Sequence, residues 1–172
     1  PGKLRKVIHM FITTRGLILR EAKYKDADKI LTILTETDGK ITAKARAVAR
    51  TRSKLAAATQ LLTFSDLTLF ENKGYWTVNE AATVEQFRAL RTDIHLLALG
   101  SYIAELLEAV TNENVPEPGI LQLGLNALYA LANKLCPPKQ VKAAFELRLM
   151  CLSGYRPELE RCAGCGKVEM TR

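Results

Sequence analysis

Residues Lys29–Val48 read KILTILTETDGKITAKARAV, two strand-like runs joined by Asp38-Gly39. An Asp-Gly pair between two such runs is a strong hairpin signal, because both residues tolerate the positive φ of a tight turn. Before the turn, Ile30, Thr32 and Leu34 share a parity within a strand predicted over Lys29–Thr37. After it, Lys40, Thr42, Lys44 and Arg46 alternate with Ile41, Ala43, Ala45 and Ala47. Successive side chains of a strand point to opposite faces, so one face carries three charges and the other small apolar groups.

Further strands flank this hairpin. FITTRGLILREAKY, Phe11 to Tyr24, is rich in β-branched residues. LLTFSDLTLFE, Leu61 to Glu71, places Phe64, Asp66, Thr68 and Phe70 on one parity, and Asn72-Lys73-Gly74 turns it into YWTVNEA. Five short strands at this spacing predict a small antiparallel barrel or sandwich.

From about Thr83 the period becomes helical. Asp93 is placed to cap IHLLALGSYIAELLEAV, where Leu96, Leu99, Ile103, Leu106, Leu107 and Val110 follow helical spacing. Off-stripe apolar residues predict a helix buried on most sides. A loop from Thr111 to Gly119 leads to a second helix, from about Ile120 to Leu135. Pro137-Pro138 starts a third, carrying Val141, Phe145, Leu149 and Leu152 and ending at Gly154. The expected fold class is α+β: an N-terminal antiparallel β-barrel over residues 10–80, an all-helical domain over 81–156 and a CxxC zinc-knuckle-like element over 157–172. Residues 1–9 read as an extension.

Net charge is +7, with 15 Lys and Arg against 8 Asp and Glu in residues 1–80 and ten of each thereafter. Lys3, Arg5 and Lys6 belong to the extension, so an inference about partners rests on local clustering. The clearest cluster is Lys40, Lys44, Arg46, Arg50, Arg52 and Lys54, a stretch without an acid. Such a row repels itself unless an anion lies along it. Phosphates would release counterions there and make binding salt-sensitive. The plainer alternative is a solvated edge strand, protected by lysine from aggregation. Tyr75 and Trp76 are candidate stacking platforms for bases. They are adjacent and face opposite ways, so only one can line a groove. Phe64 and Phe70 are expected to fill the barrel.

Cys162-Ala163-Gly164-Cys165-Gly166 has the form of a zinc knuckle, but a structural zinc takes four ligands and this pair is a half-site. Cys136 and Cys151 read as small buried apolar groups. No long apolar run predicts a membrane helix and no signal peptide is evident, which points to a reducing cytoplasm. His9 and His95 are the only histidines; neither has an evident catalytic partner, Asp26 and Asp28 form no acid–base pattern, and no phosphate-binding glycine motif occurs. The expectation is a protein without turnover chemistry.

RGLILREAKYKDADKILTILTETDGK, ARTRSKLAAATQLLTFSDLTLFENKGYWTVNEA and RLMCLSGYRPELERCAGCG, in that order and spacing, resemble the bacterial RecO family, from Met10 to Gly166. The resemblance implies an oligonucleotide-binding (OB) barrel, a helical domain and a zinc element using Cys162 and Cys165. It implies DNA repair and recombination through binding of single- and double-stranded DNA and annealing of complementary strands. It also implies partnership with RecR and the single-strand-binding protein SSB in loading RecA, in the cytoplasm near the nucleoid. Ala47 and Ala49 depart from the glycine and basic residue common there, and a second cysteine pair is absent. RecO chains usually run longer, so part of the protein is expected to lie outside this sequence. Competing readings are a protein-interaction scaffold acting through the helical domain, with a groove formed by the Thr111–Gly119 loop and helices 2 and 3, and an RNA-binding OB protein.

Overall fold

The structure is a computed structural model that describes residues 10–48, 53, 55–158, 161, 162 and 164–166. The expected extension, residues 1–9, lies outside the described residues. Five strands come first: β1 Met10–Tyr24, β2 Asp28–Thr35, β3 Lys40–Ala45, β4 Phe64–Asn72 and β5 Tyr75–Glu85. They close in the order β1-β2-β3-β5-β4, with β3 and β5 parallel and every other pair antiparallel. This is the OB barrel expected. Three helices follow: α1 Ile94–Val110, α2 Pro118–Ala132 and α3 Pro138–Leu152.

β1 is long because it serves two neighbours, pairing with β4 along its first half and β2 along its second. Gly16 sits where the pairings overlap. A Cβ there would lie 2.6 Å from Ile33 Cγ2, so a larger residue would force the buried Ile33 side chain to move.

Two apolar clusters divide the molecule. One fills the barrel with Ile18, Leu31, Ile33, Ile41, Ala43, Ala45, Val48, Leu67, Leu69 and Val78. The other joins Leu17, Leu19, Leu34, Leu62 and Phe64 on the barrel's outer side to Leu90 and the inner faces of all three helices. β2 therefore buries both faces where the helices cover it, and residues 31–35 are all buried. That double burial explains why its alternation is only partial in the sequence.

The expected roles of two aromatics are corrected here. Phe64 packs toward the helices, and Phe70 pairs across the outer surface with Phe11, ring centroids 4.8 Å apart. Leu67 and Leu69, of the opposite parity, fill the barrel instead. β5 runs on to Glu85, past residue 80, because its last residues still pair with Phe64 and Ser65. On α3, Leu152 is exposed where the stripe predicts a core position.

Local chemistry sets the element ends. Asp93 caps α1 as predicted, its Oδ1 accepting from the His95 and Leu96 N–H groups. Pro118 and Pro138 open α2 and α3, where a missing N–H costs no hydrogen bond. Arg91 ties the 60–63 loop to the helical side, donating to Gln60, to the Leu61 carbonyl at 2.7 Å and to Thr63 at 2.9 Å.

The β2–β3 connection is the Glu36–Gly39 loop, longer than a two-residue Asp-Gly turn. Thr35 organises it: its Oγ1 donates to the Gly39 carbonyl at 2.7 Å and accepts from the Asp38 N–H at 3.0 Å. β2 therefore ends at Thr35, not at the expected Thr37.

Candidate nucleic-acid interface

β3 places its residues as the alternation predicts. Ile41, Ala43 and Ala45 are buried in the barrel, while Thr42 faces solvent between Lys40 and Lys44. The three expected cations differ in surroundings. Lys40 is half-buried, and its ammonium donates to the Glu108 carbonyl oxygen at 2.7 Å, near the C-terminal end of α1. Carbonyls there lack helical partners and carry partial negative charge, so a lysine suits them. The Lys40 backbone is also bridged to the 112–114 segment, with Lys40 N–H donating to Asn112 and Asn114 N–H to Lys40. The Thr111–Gly119 loop thus lies against the barrel, where one competing reading has it shaping a groove beside α2 and α3.

Lys44 meets an acid from another strand. Its Nζ is 2.9 Å from Asp28 Oδ2 and 4.8 Å from the centre of the Tyr24 ring. Lys25 Nζ also approaches that ring, at 5.6 Å. Asp28 Oδ1 accepts the Ala47 N–H at 2.9 Å. That backbone donor, then the Lys44 ammonium, holds the Asp28 carboxyl below its ordinary range. The turn it fixes puts Ala47 at φ 54°, in the left-handed region. Arg46 follows the strand and is exposed. Arg50, Arg52 and Lys54 lie outside the described residues.

The parallel register sets Ala43 beside Trp76, Lys44 beside Thr77 and Ala45 beside Val78. Ala43, Ala45 and Val78 are buried, and Trp76 packs against the barrel cluster. Strand alternation then turns Tyr75 and Thr77 outward with Lys44. Tyr75 is 79% exposed. Of the two adjacent aromatics, Tyr75 is the exposed one and Trp76 the one packed on the barrel. Tyr24, exposed by 42%, joins the same face, although the sequence reading did not single it out. Its signal was available: a tyrosine beside a strand end, followed by Lys25, Asp26 and Asp28.

Cys162 and Cys165 are both exposed. The Gly166 N–H donates to the Cys162 carbonyl oxygen at 2.8 Å, closing the CxxC turn. The Cys165 and Gly164 N–H groups hold the Cys162 thiol below its ordinary range. A tetrahedral structural site takes four ligands, of which this pair could supply two. Among the described residues, no group of three or more His, Cys, Asp or Glu could hold a metal. Cys136 is exposed at the end of the α2–α3 hairpin and Cys151 is half-buried on α3, unlike the buried positions expected. His95 is exposed on the first turn of α1.

A mostly apolar groove of about 500 Å³ runs between α2 and α3, lined by Leu123, Ala127, Ala130, Val141, Ala144 and Phe145, with Arg148 at the same site. No helix among the described residues is long and apolar enough to cross a membrane.

Comparison with known proteins agrees with this architecture. The family model "Recombination protein O N terminal" matches residues 10–87, and "Recombination protein O C terminal" matches residues 91–171. The DNA repair protein RecO of Acetivibrio thermocellus is 36% identical over 158 residues, covering 92% of this chain and 63% of the relative. That of Alkaliphilus metalliredigens is 37% identical over 159 residues, covering 92% and 65%. That of Symbiobacterium thermophilum is 36% identical over 151 residues, covering 88% and 60%. The chain thus spans less than two thirds of the length of these relatives. With both halves of the family matched in order, on an OB barrel followed by helices, the chain belongs to the RecO family.

Proposed function

We propose that the protein is a DNA-binding recombination mediator without turnover chemistry, and that it holds DNA on the outer face of β3 and β5. The observation that carries this reading is the row of Lys44 and Arg46 beside the outward Tyr75. Arg50, Arg52 and Lys54 continue the row in the sequence. Cations along a groove with an aromatic face suit a single strand, and the cations alone suit any phosphate backbone. Two strands screened on one surface repel each other less, which would favour annealing. RecR and SSB, and RecA indirectly, are the partners proposed. Zinc is proposed at Cys162 and Cys165, with two further ligands, as a structural cross-link.

The test is a salt-dependent titration with single-stranded and duplex DNA. Replacing Arg50 and Arg52 together with Ala should weaken binding to all sequences alike and lower the salt slope by about two. An unchanged slope sinks the phosphate role.

A second reading is favoured by the α2–α3 groove. Its apolar lining with Arg148 alongside suits a partner's short apolar segment bearing an acid, and SSB and RecR are the partners to try. A DNA-free pulldown tests it, with Ala144→Glu abolishing capture.

A further inference from the structure

We infer that Tyr24, Lys44 and Asp28 form a single-strand subsite, in which an unpaired base stacks on Tyr24 while a backbone phosphate displaces the Asp28 carboxylate from Lys44. The inference rests on the DNA-binding reading above and assigns it an aromatic seat and an internal competitor.

The geometry has three parts. First, the two oxygens of Asp28 have separate partners: Oδ1 accepts the Ala47 N–H and Oδ2 faces the Lys44 ammonium. Lys44 can therefore leave for a phosphate while the turn after β3 stays tied. Second, Lys44 lies 4.8 Å from the Tyr24 ring centre, so a phosphate drawn to it brings the attached base to that ring. Lys25 Nζ also lies over that ring, 5.6 Å from its centre, so a base that stacks there takes the place of an ammonium while the phosphate draws it aside. Third, Tyr75 stands on the same outer face. Lys44 pairs with Thr77, and Tyr75 is two residues earlier on β5, so strand geometry puts the Tyr75 and Lys44 Cα atoms about 8 Å apart. Two exposed tyrosines thus flank one lysine, the alternation of ring and cation that sequence-tolerant single-strand binders use.

Asp28 sets a threshold that a bare lysine lacks, and Tyr24 supplies the selectivity. With the carboxylate in place, Lys44 is already paired, and a ligand must bring a phosphate together with a base that can stack. Bases of an intact duplex are stacked on one another and cannot reach Tyr24. The ring therefore acts on single strands alone, and the Asp28 charge acts on both forms.

The test uses the whole chain with a fluorescent oligo-dT and a duplex of equal length, titrated over a range of salt. Tyr24→Leu keeps apolar bulk and removes the ring. It should weaken single-strand binding about tenfold, leave duplex binding within about twofold and leave the salt slope unchanged. Tyr24→Phe should restore single-strand binding. Asp28→Asn keeps an oxygen for the Ala47 N–H and removes the competing charge. It should tighten both DNA forms and steepen the salt slope by about one. Equal losses on both forms for Tyr24→Leu, or no loss, overturn the stacking seat; unchanged or weaker binding by Asp28→Asn overturns the competitor. The Arg50/Arg52 double alanine variant run alongside separates the two levels. If it binds as the parent does, the DNA-binding reading itself fails. If it weakens while Tyr24→Leu does not distinguish the DNA forms, only the subsite fails. Unfolding midpoints of all variants, with Tyr24→Phe as the conservative control, separate lost binding from lost folding.

Discussion

Lys40 and Lys44 stand four residues apart on the outer face of β3, and the two ends of that face differ. At the Lys40 end, the ammonium donates to a carbonyl of α1 and the backbone is bridged to the 112–114 segment. At the Lys44 end, the ammonium meets the Asp28 carboxylate and the Tyr24 ring, and Arg46 points into solvent. One lysine fastens the barrel to the helices, and the other, also half-buried, is paired with an acid and a ring of the barrel itself. A run of like charge is therefore not a uniform surface: each cation takes its role from whatever the fold brings against it.

The strongest way to break this comparison is at Gly39, which adjoins the Lys40 end. Its φ is 71°, and a Cβ there would fall 2.3–2.5 Å from Val115 backbone atoms. Gly39→Ala should cost about 3 kcal/mol, combining left-handed strain with displacement of the 112–115 segment. Denaturant unfolding measures it; a loss below about 1 kcal/mol would mean that the segment yields freely.

Exchanging the two lysines for methionine sharpens the contrast. Lys40→Met should lower stability by about 1.5 kcal/mol through the lost charged hydrogen bond, with DNA affinity nearly unchanged. Lys44→Met should do the reverse, weakening DNA binding several-fold with little effect on stability. Equal DNA losses from both variants would erase the distinction between the two ends.

A smaller effect is expected at Ala47, whose φ of 54° is unfavourable for a residue with a Cβ. Ala47→Gly should raise stability by about 1 kcal/mol, read as a higher denaturant midpoint at constant slope. A lower midpoint would show that stiffness in the unfolded chain outweighs native strain.

The smallest effect concerns acid. The Asp28 carboxyl titrates below its ordinary range in the folded protein, held first by the Ala47 N–H and then by Lys44. Its contribution is complete above the unfolded value of about 4 and is lost as pH falls through the folded value. Asp28→Asn should therefore reduce the stability difference between pH 6 and pH 3. An identical difference in the parent and the variant would remove Asp28 from the acid response.

The strands, the three helices and the Asp93 cap were legible because each depends on local periodicity or on side chains within three residues of the position they cap. The outward face of β3 was legible for the same reason. Phe64 and Phe70 were not. Their strand carries apolar groups on both parities, and only the covering helices decide which parity enters the barrel. Tyr24 and Asp28 were missed as neighbours of Lys44 because both are distant from it in sequence. In the sequence, the basic stretch contains no acid; in the fold, β2 supplies one.

The register of the first hairpin makes the division concrete. An Asp38-Gly39 turn of two residues would set Thr37 opposite Lys40, leaving Asp28 far from Lys44 along the ladder. The observed loop pairs Leu34 with Lys40 and Ile30 with Lys44, which brings Asp28 beside the end of β3. The sequence by itself determined which residues form strands and helices and which face of β3 is charged, since these follow from spacing along one chain. Only the tertiary structure decided which cations remain open to a ligand and which aromatic rings accompany them. Those outcomes depend on register and on the helices packed against the barrel, where contacts between distant segments override local pattern.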